Sequence, residues 1–390
     1  MGSFEWSDID RKRMVEARRS NIASLMKKED YDALVLTGYD NVRYATDILV
    51  MQQVAEAYFE ECAVIVDSNR DCYLISRLLE HHPQGEMPWI KQVPWIKEVI
   101  PGAPANIPGE VVPNIWSRLL SNKLIKLGAK RVGVELLFSQ TFEKLKRLTP
   151  GVEYVPILNQ LLEMRAIKNT DEVRLIEYSQ SVADAAAQLG LELIRNGSGR
   201  TEKEIASKMA ARMHEMGAEY VTHLLVMSGQ LSGQLYPTSR ALADGQTATF
   251  DIGCIGEGGY ASDMARTGFV GRPDRNIMDA YEVLRDAYLT GLRCMKPGLK
   301  ASELYAKVGR VLSESGYEGL RFSLGHGIGL RMMELPQIDK PQQMWKDMEL
   351  KPGMVICMEP NVVVDRMLLE IESEVLMTDR GSKVLTQTPL

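Results

Sequence analysis

Apolar residues recur along this chain at strand and helical periods, which alternate up to a boundary near GVEYVPI and LLEMRAIKNTDEVRLI, beyond which the helical period dominates. Over residues 8–29, Ile9, Met14, Ile22 and Leu25 stand among charges at a spacing that predicts an amphipathic surface helix. The apolar run YDALVL (31–36) predicts a buried strand, followed by a turn-like GYDN. CAVIV (62–66) and CYLIS (72–76) predict two further strands joined by the polar turn Asp67-Ser68-Asn69-Arg70-Asp71. Pro-rich loops over 83–113 lead into a helix near 114–128 and a VGVE strand at 132–135. Strands alternating with helices predict an α/β N-terminal domain over residues 1–160.

From 161 to 390 the helical period dominates between stretches of strand pattern, which predicts an α+β domain. One helix is expected from about 170 to 195, and a second opens at Thr201-Glu202-Lys203-Glu204. That tetrad is a capping box, with Thr201 as N-cap and Glu204 able to reach back to it. A third covers 276–295 and stops at Lys296-Pro297-Gly298; its apolar positions Ile277, Ala280, Tyr281, Leu284 and Tyr288 lie at helical spacing.

Composition narrows the classes. A chain of 390 residues with 45% apolar and 25% charged residues has ordinary globular composition and is long for one core. Its net charge of -6 argues against a nucleic-acid partner. No apolar run reaches the roughly 18–20 residues of a membrane span, so no membrane partner is expected. The N-terminus lacks a signal-peptide core, and Trp6 breaks the myristoylation pattern. Cys62, Cys72, Cys254, Cys294 and Cys357 are scattered without metal-type spacing, which reads as reduced thiols in a cytoplasmic protein.

The chemistry concentrates in the C-terminal third. Asp251 opens and Asp263 closes DIGCIGEGGYASD, His326 lies in SLGHGIGL, Glu359 in ICMEPNV and Glu372 in LEIESEVLMT. A hairpin turning at Gly256-Glu257-Gly258, centred on Glu257, would face Asp251 with Asp263, and a two-residue turn at Asp365-Arg366 would face Glu359 with Glu372. Opposed residues hold their Cβ atoms roughly 4.5–5.5 Å apart, so like charges there repel and need a counter-charge. About four carboxylate charges match two divalent cations, which would lower the pKa of bound water toward roughly 7 and give a hydroxide nucleophile. Four oxygen donors and one nitrogen favour manganese, then iron or cobalt, over a thiolate-type zinc site.

These residues carry a resemblance. The order Asp, Asp, GHGIGL, MEP and an acidic VLMT strand is similar to the pita-bread (M24) metallopeptidase family, in its creatinase, prolidase and aminopeptidase P branch. The similarity extends through MRAIKNTDEV, RTEKEIA, VMSGQ and KPGL, and YDALVLTGYDNVRYATD resembles that branch's N-terminal domain. The resemblance implies a pita-bread fold for 161–390. It also implies that Asp251 binds one ion, His326 and Glu359 the other, and Asp263 and Glu372 both. Glu359 would in addition carry the proton to the leaving nitrogen. A homodimer is implied, with Arg43, Glu56 or Tyr58 bordering a partner's pocket.

Three departures bear on the substrate. Gln234 and Met333 stand where the family's peptidases place substrate-binding histidines, and the Asp–Asp spacing is one residue longer than theirs. Gln234 can still donate a hydrogen bond and Met333 cannot. His223 could substitute from a neighbouring strand, while Tyr236, Arg240, Arg266 and Arg331 could meet a substrate carboxylate. The expected activity is hydrolysis of an amide-type C–N bond, Xaa-Pro dipeptidase-like, on a dipeptide or other small molecule. The alternatives are a small-molecule amidohydrolase, a C–S or C–O lyase such as a dimethylsulfoniopropionate lyase, and last a non-catalytic binding module. Relatives with that lyase activity carry aspartates where this chain has Gly253 and Met332.

Overall fold

A computed structural model describes residues 9–48, 62–76, 94–102, 111–231, 235–256, 258–317, 323–340 and 346–390. They form two units, Asp10–Met164 and Arg165–Leu390.

The first unit runs α1 (Arg11–Glu29), β1 (Ala33–Leu36), α2 (Tyr39–Thr46), β2 (Cys62–Asp67), β3 (Cys72–Ser76), β4 (Ile96–Pro101), α3 (Val112–Leu127), β5 (Arg131–Val134), α4 (Ser139–Leu148) and β6 (Glu153–Pro156). Its sheet has the order β4-β3-β2-β1-β5-β6, with β1 antiparallel to β2 and parallel to β5. Trp116, Leu120 and Leu124 of α3 share one buried cluster with Val35, Ile65 and Ile75. Two expectations need correction. GYDN is the start of a helix, because the Glu135 carboxylate accepts hydrogen bonds from the Thr37 and Gly38 amides, both at 2.9 Å, and from Asn41 Nδ2 at 2.7 Å. The region expected to be loop contains β4, which pairs parallel with β3.

After α5 (Leu158–Arg165), the second unit opens with α6 (Thr170–Arg195) and α7 (Glu202–Glu215). The Thr201 box forms: Glu204 Oε2 accepts from the Thr201 amide at 2.7 Å, and Thr201 Oγ1 accepts from the Glu204 amide at 3.2 Å. Strands β7 (Ala218–Ser228), β8 (Thr247–Gly256) and β9 (Met264–Phe269) form one antiparallel sheet. Met209 and Met213 of α7 and Val182 and Ala186 of α6 share its core with Phe250 and Ile252. Next come α8 (Arg275–Cys294), α9 (Ala301–Glu314), β10 (Gly325–Gly327), β11 (Glu334–Ile338), β12 (Val355–Met358), β13 (Asn361–Val364), β14 (Met367–Glu370), β15 (Ser373–Thr378) and β16 (Gly381–Val384). A five-stranded sheet, ordered β11-β10-β12-β15-β16, shares a second core with Leu284 and Tyr288 of α8 and Leu304 and Val308 of α9. Each sheet thus has its own helix pair, and an Arg266–Ile371 bridge links the two strand systems. Among the described residues no helix is long and apolar enough to cross a membrane.

Candidate metal centre

The two hairpins behave differently. Asp365 and Arg366 both take positive φ, 48° and 66°, the signature of a two-residue type I′ turn. Val364 then pairs with Met367, Asn361 with Glu370 and, beyond a break, Met358 with Ser373. That single register sets Glu359 opposite Glu372. The first hairpin turns one residue later than expected. Gly256 pairs with Tyr260 through a 3.0 Å bond, so the loop is three residues long and centres on Gly258; Glu257 lies outside the described residues. Asp251 therefore sits opposite Ala265, and the register carries Asp263 to a position across from Gly253. Because the register moved by two residues, both aspartates still share one face.

His326 enters from β10, paired with Cys357 of β12. Its Nδ1 lies 3.0 Å from the Gly327 carbonyl, which can only accept, so Nδ1 carries the hydrogen and the Nε2 lone pair faces inward. Nε2 is 3.5 Å from Asp263 Oδ2 and 3.9 Å from Glu359 Oε1. The backbone is compressed here, since a Cβ on Gly327 would stand 2.0 Å from the Leu335 carbonyl oxygen. On the other side of Asp263, His223 Nε2 lies 2.9 Å from Asp251 Oδ1 and 3.2 Å from Asp263 Oδ1. Two groups of potential ligand atoms result, each with its members within 4.8 Å: Asp263, His326, Cys357 and Glu372, and His223, Asp251 and Asp263.

The other sequence candidates lie elsewhere. Arg266 is buried and spends its guanidinium on the carbonyls of Ala265, Glu372, Thr388 and Pro389 and on Ser373 Oγ, so it braces the strand bearing Glu372 and presents no free fork to a substrate. Arg240 bonds the Ser228 and Gln230 carbonyls. Tyr236 and Met333 are exposed, at 69% and 50%. Gln234, Glu56 and Tyr58 lie outside the described residues. Sequence reasoning passed over Glu370, Glu374 and Cys357. Glu374 accepts from the Asp263 amide at 3.1 Å and so holds that residue's backbone, but only the β12–β15 pairing reveals it.

Charge crowding marks the centre. Burial, then Asp263 and Asp251, push the Glu359 carboxyl up to about 8. Burial first, then neighbouring carboxylates, also raises Glu370 and Glu372 well above the ordinary range. Burial raises Glu374 as well, and its Oε2 has no hydrogen-bond partner among the described residues. Burial opposes charging His223, but Asp263 and Asp251 outweigh it and raise its pKa to about 10. An oxygen-rich set with imidazole nitrogen, short of positive charge, fits divalent cations.

The sequence profile of metallopeptidase family M24 matches residues 174–379, the segment that supplies all of these side chains. The chain belongs to metallopeptidase family M24. The creatinase/prolidase N-terminal domain profile matches residues 18–167, so the architecture is a creatinase-type α/β domain followed by a pita-bread catalytic domain. A Xaa-Pro dipeptidase of Pyrococcus horikoshii is 31% identical over 267 residues, spanning 67% of this chain and 74% of that relative. The prolidase structure from Pyrococcus furiosus superposes with a TM-score of 0.76 at 26% identity, covering 94% of this chain and all of that one (100%). A Xaa-Pro dipeptidase structure from Bacillus anthracis, at 24% identity, shares the fold with a TM-score of 0.79 over 96% of this chain and 98% of that one. M24 enzymes are divalent-metal hydrolases, and this chain is a metal-dependent hydrolase of that family.

The raised pKa values predict how the metal-free M24 chain responds to pH. Groups whose folded pKa is raised stabilise the fold below their unfolded pKa and lose that contribution as pH climbs through the folded value. For Glu359 the window runs from its ordinary 4.5 to about 8, and for His223 from 6.5 to about 10. Denaturation midpoints measured in chelator should fall from pH 6 to pH 9, and added divalent cation should restore them. A midpoint that rises over this range in chelator would contradict the charge balance described above.

Proposed function

We propose that the chain is a two-metal hydrolase that cleaves the amide bond of an Xaa-Pro dipeptide or a closely similar small molecule. The observation that carries this reading is the position of Asp263, which belongs to both donor groups and so can be shared between two ions. Asp251 would hold one ion, His326 and Glu359 the other, with Asp263 and Glu372 common to both; manganese is favoured among Mn, Fe, Co and Zn. Bound there, the ions would supply Lewis acidity and an activated water.

The remaining work falls to the chain. Glu359 Oε1, which accepts from Ser323 Oγ at 3.2 Å, is partly open to solvent, with 18% of its side chain accessible. A carboxylate beside the attacking water is placed to take its proton and pass it to the departing nitrogen. Met333 and Gln234, which replace the histidines of related peptidases, would set substrate choice, with Tyr236 nearby in sequence. The reading includes a homodimer in the cytoplasm; Cys72, Cys254, Cys294 and Cys357, which stay as thiols, support the latter.

Purified protein should hydrolyse Xaa-Pro dipeptides with added Mn²⁺ and lose that activity in chelator. No bound or bindable divalent ion would sink the proposal, and metal-dependent release of a non-amide product would convert it to the lyase alternative.

A further inference from the structure

We propose that His223 is a sixth metal ligand, which binds through Nε2 the ion held by Asp251 and Asp263; this rests on the two-metal reading above. Donors bonded to one ion at roughly 2.1 Å and at tetrahedral or octahedral angles stand about 3.0–3.4 Å from one another. His223 Nε2 lies 3.2 Å from Asp263 Oδ1, within that range, and 2.9 Å from Asp251 Oδ1, just below it.

The surrounding backbone is arranged around this imidazole. The β7–β8 register slips between Val221 and His223, a bulge of the kind that re-aims a side chain beside an active site. His223 then pairs with Gly253, so that Gly253 has His223 on one flank and Asp263 on the other. A Cβ at 253 would stand 2.5 Å from His223 Cε1 and 2.3 Å from the Ser262 carbonyl oxygen. The glycine leaves the space that the imidazole occupies. Thr222 Oγ1, 3.1 Å from Nδ1, occupies the ring's outer nitrogen and leaves Nε2 for the ion, as ligating histidines require.

With His223 on one ion and His326 on the other, both subsites have a nitrogen donor. Imidazole moves preference from Mn²⁺ toward Zn²⁺, Co²⁺ and Fe²⁺, so the Asp251 subsite should discriminate among metals more than a carboxylate-only site does.

The test is Co²⁺ binding by the full chain, followed by calorimetry and by visible absorption. Native protein should bind two ions. In His223→Ala one step should weaken at least about 10-fold, with a changed absorption band and a smaller loss for Mn²⁺. Two unchanged steps and an unchanged band overturn the His223 assignment alone, whereas native protein that binds no ion overturns the two-metal reading with it. Should His223→Ala not fold, as judged by circular dichroism, a crystal structure of native protein loaded with Zn²⁺ decides. Nε2 at about 2.0–2.1 Å from an ion supports the assignment, and Nε2 beyond bonding distance of both overturns it.

Discussion

Asp263→Ala should abolish hydrolysis, with kcat/KM falling roughly 10³-fold or more, and should strip metal from both subsites at once. Among the described residues Asp263 is the member common to both donor groups, and its side chain is only 5% exposed, so water cannot replace it freely. Losing the ions removes both the activated water and the polarisation of the substrate, several kcal/mol of transition-state stabilisation at about 1.4 kcal/mol per decade of rate. Asp251→Ala should do less damage to metal content, because only one group loses a donor. Metal analysis beside steady-state kinetics checks both variants. Equal retention of two ions by Asp263→Ala would show that Asp263 is not shared.

Glu334→Ala should cost about 3–5 kcal/mol of stability without touching a proposed ligand. Glu334 is buried and meets Arg165 at 2.7 Å and Lys168 at 3.1 Å, and both cations are themselves 2% exposed. Truncation takes a buried counter-charge from two cations in a dry site, and the desolvation of those cations dominates the loss. In a domain of this size the melting temperature should drop by roughly 6–20 °C. The same carboxylate accepts from the Arg331 amide at 3.2 Å and packs where Gly329 has no side chain, so it also fixes the segment following His326. Thermal unfolding monitored in metal-loaded protein is the check. A shift under about 2 °C would mean that solvent reaches the cluster.

Local rules left clear marks in the sequence and long-range pairing did not. The Thr201 capping box, the core face of α8 and the Asp365-Arg366 turn are decided by residues close in the chain, and each formed as expected. The glycine-rich turn was misplaced by one residue, because several glycines can take positive φ and so leave the loop length open; Gly258 and Gly259 both take it here. GYDN was read as a turn because its helix is capped by Glu135, far along the chain. Arg266 was offered as a substrate contact because its carbonyl partners come from strands whose pairing no local pattern shows. The order of the candidate donors was legible through its flanking motifs, whereas the approach of His223 depends on a strand register with a bulge.

The two helix pairs have a mechanical consequence. Asp251 and Asp263 stand on one hydrophobic core and His326, Glu359 and Glu372 on the other. Any cation shared through Asp263 is then a further cross-link between two separately packed cores, beside the hydrogen bonds that Thr249, Arg266 and Thr267 already make to the second strand system. Catalysis and part of the cohesion would rest on the same bonds, so demetallation loosens the seam as it silences the chemistry.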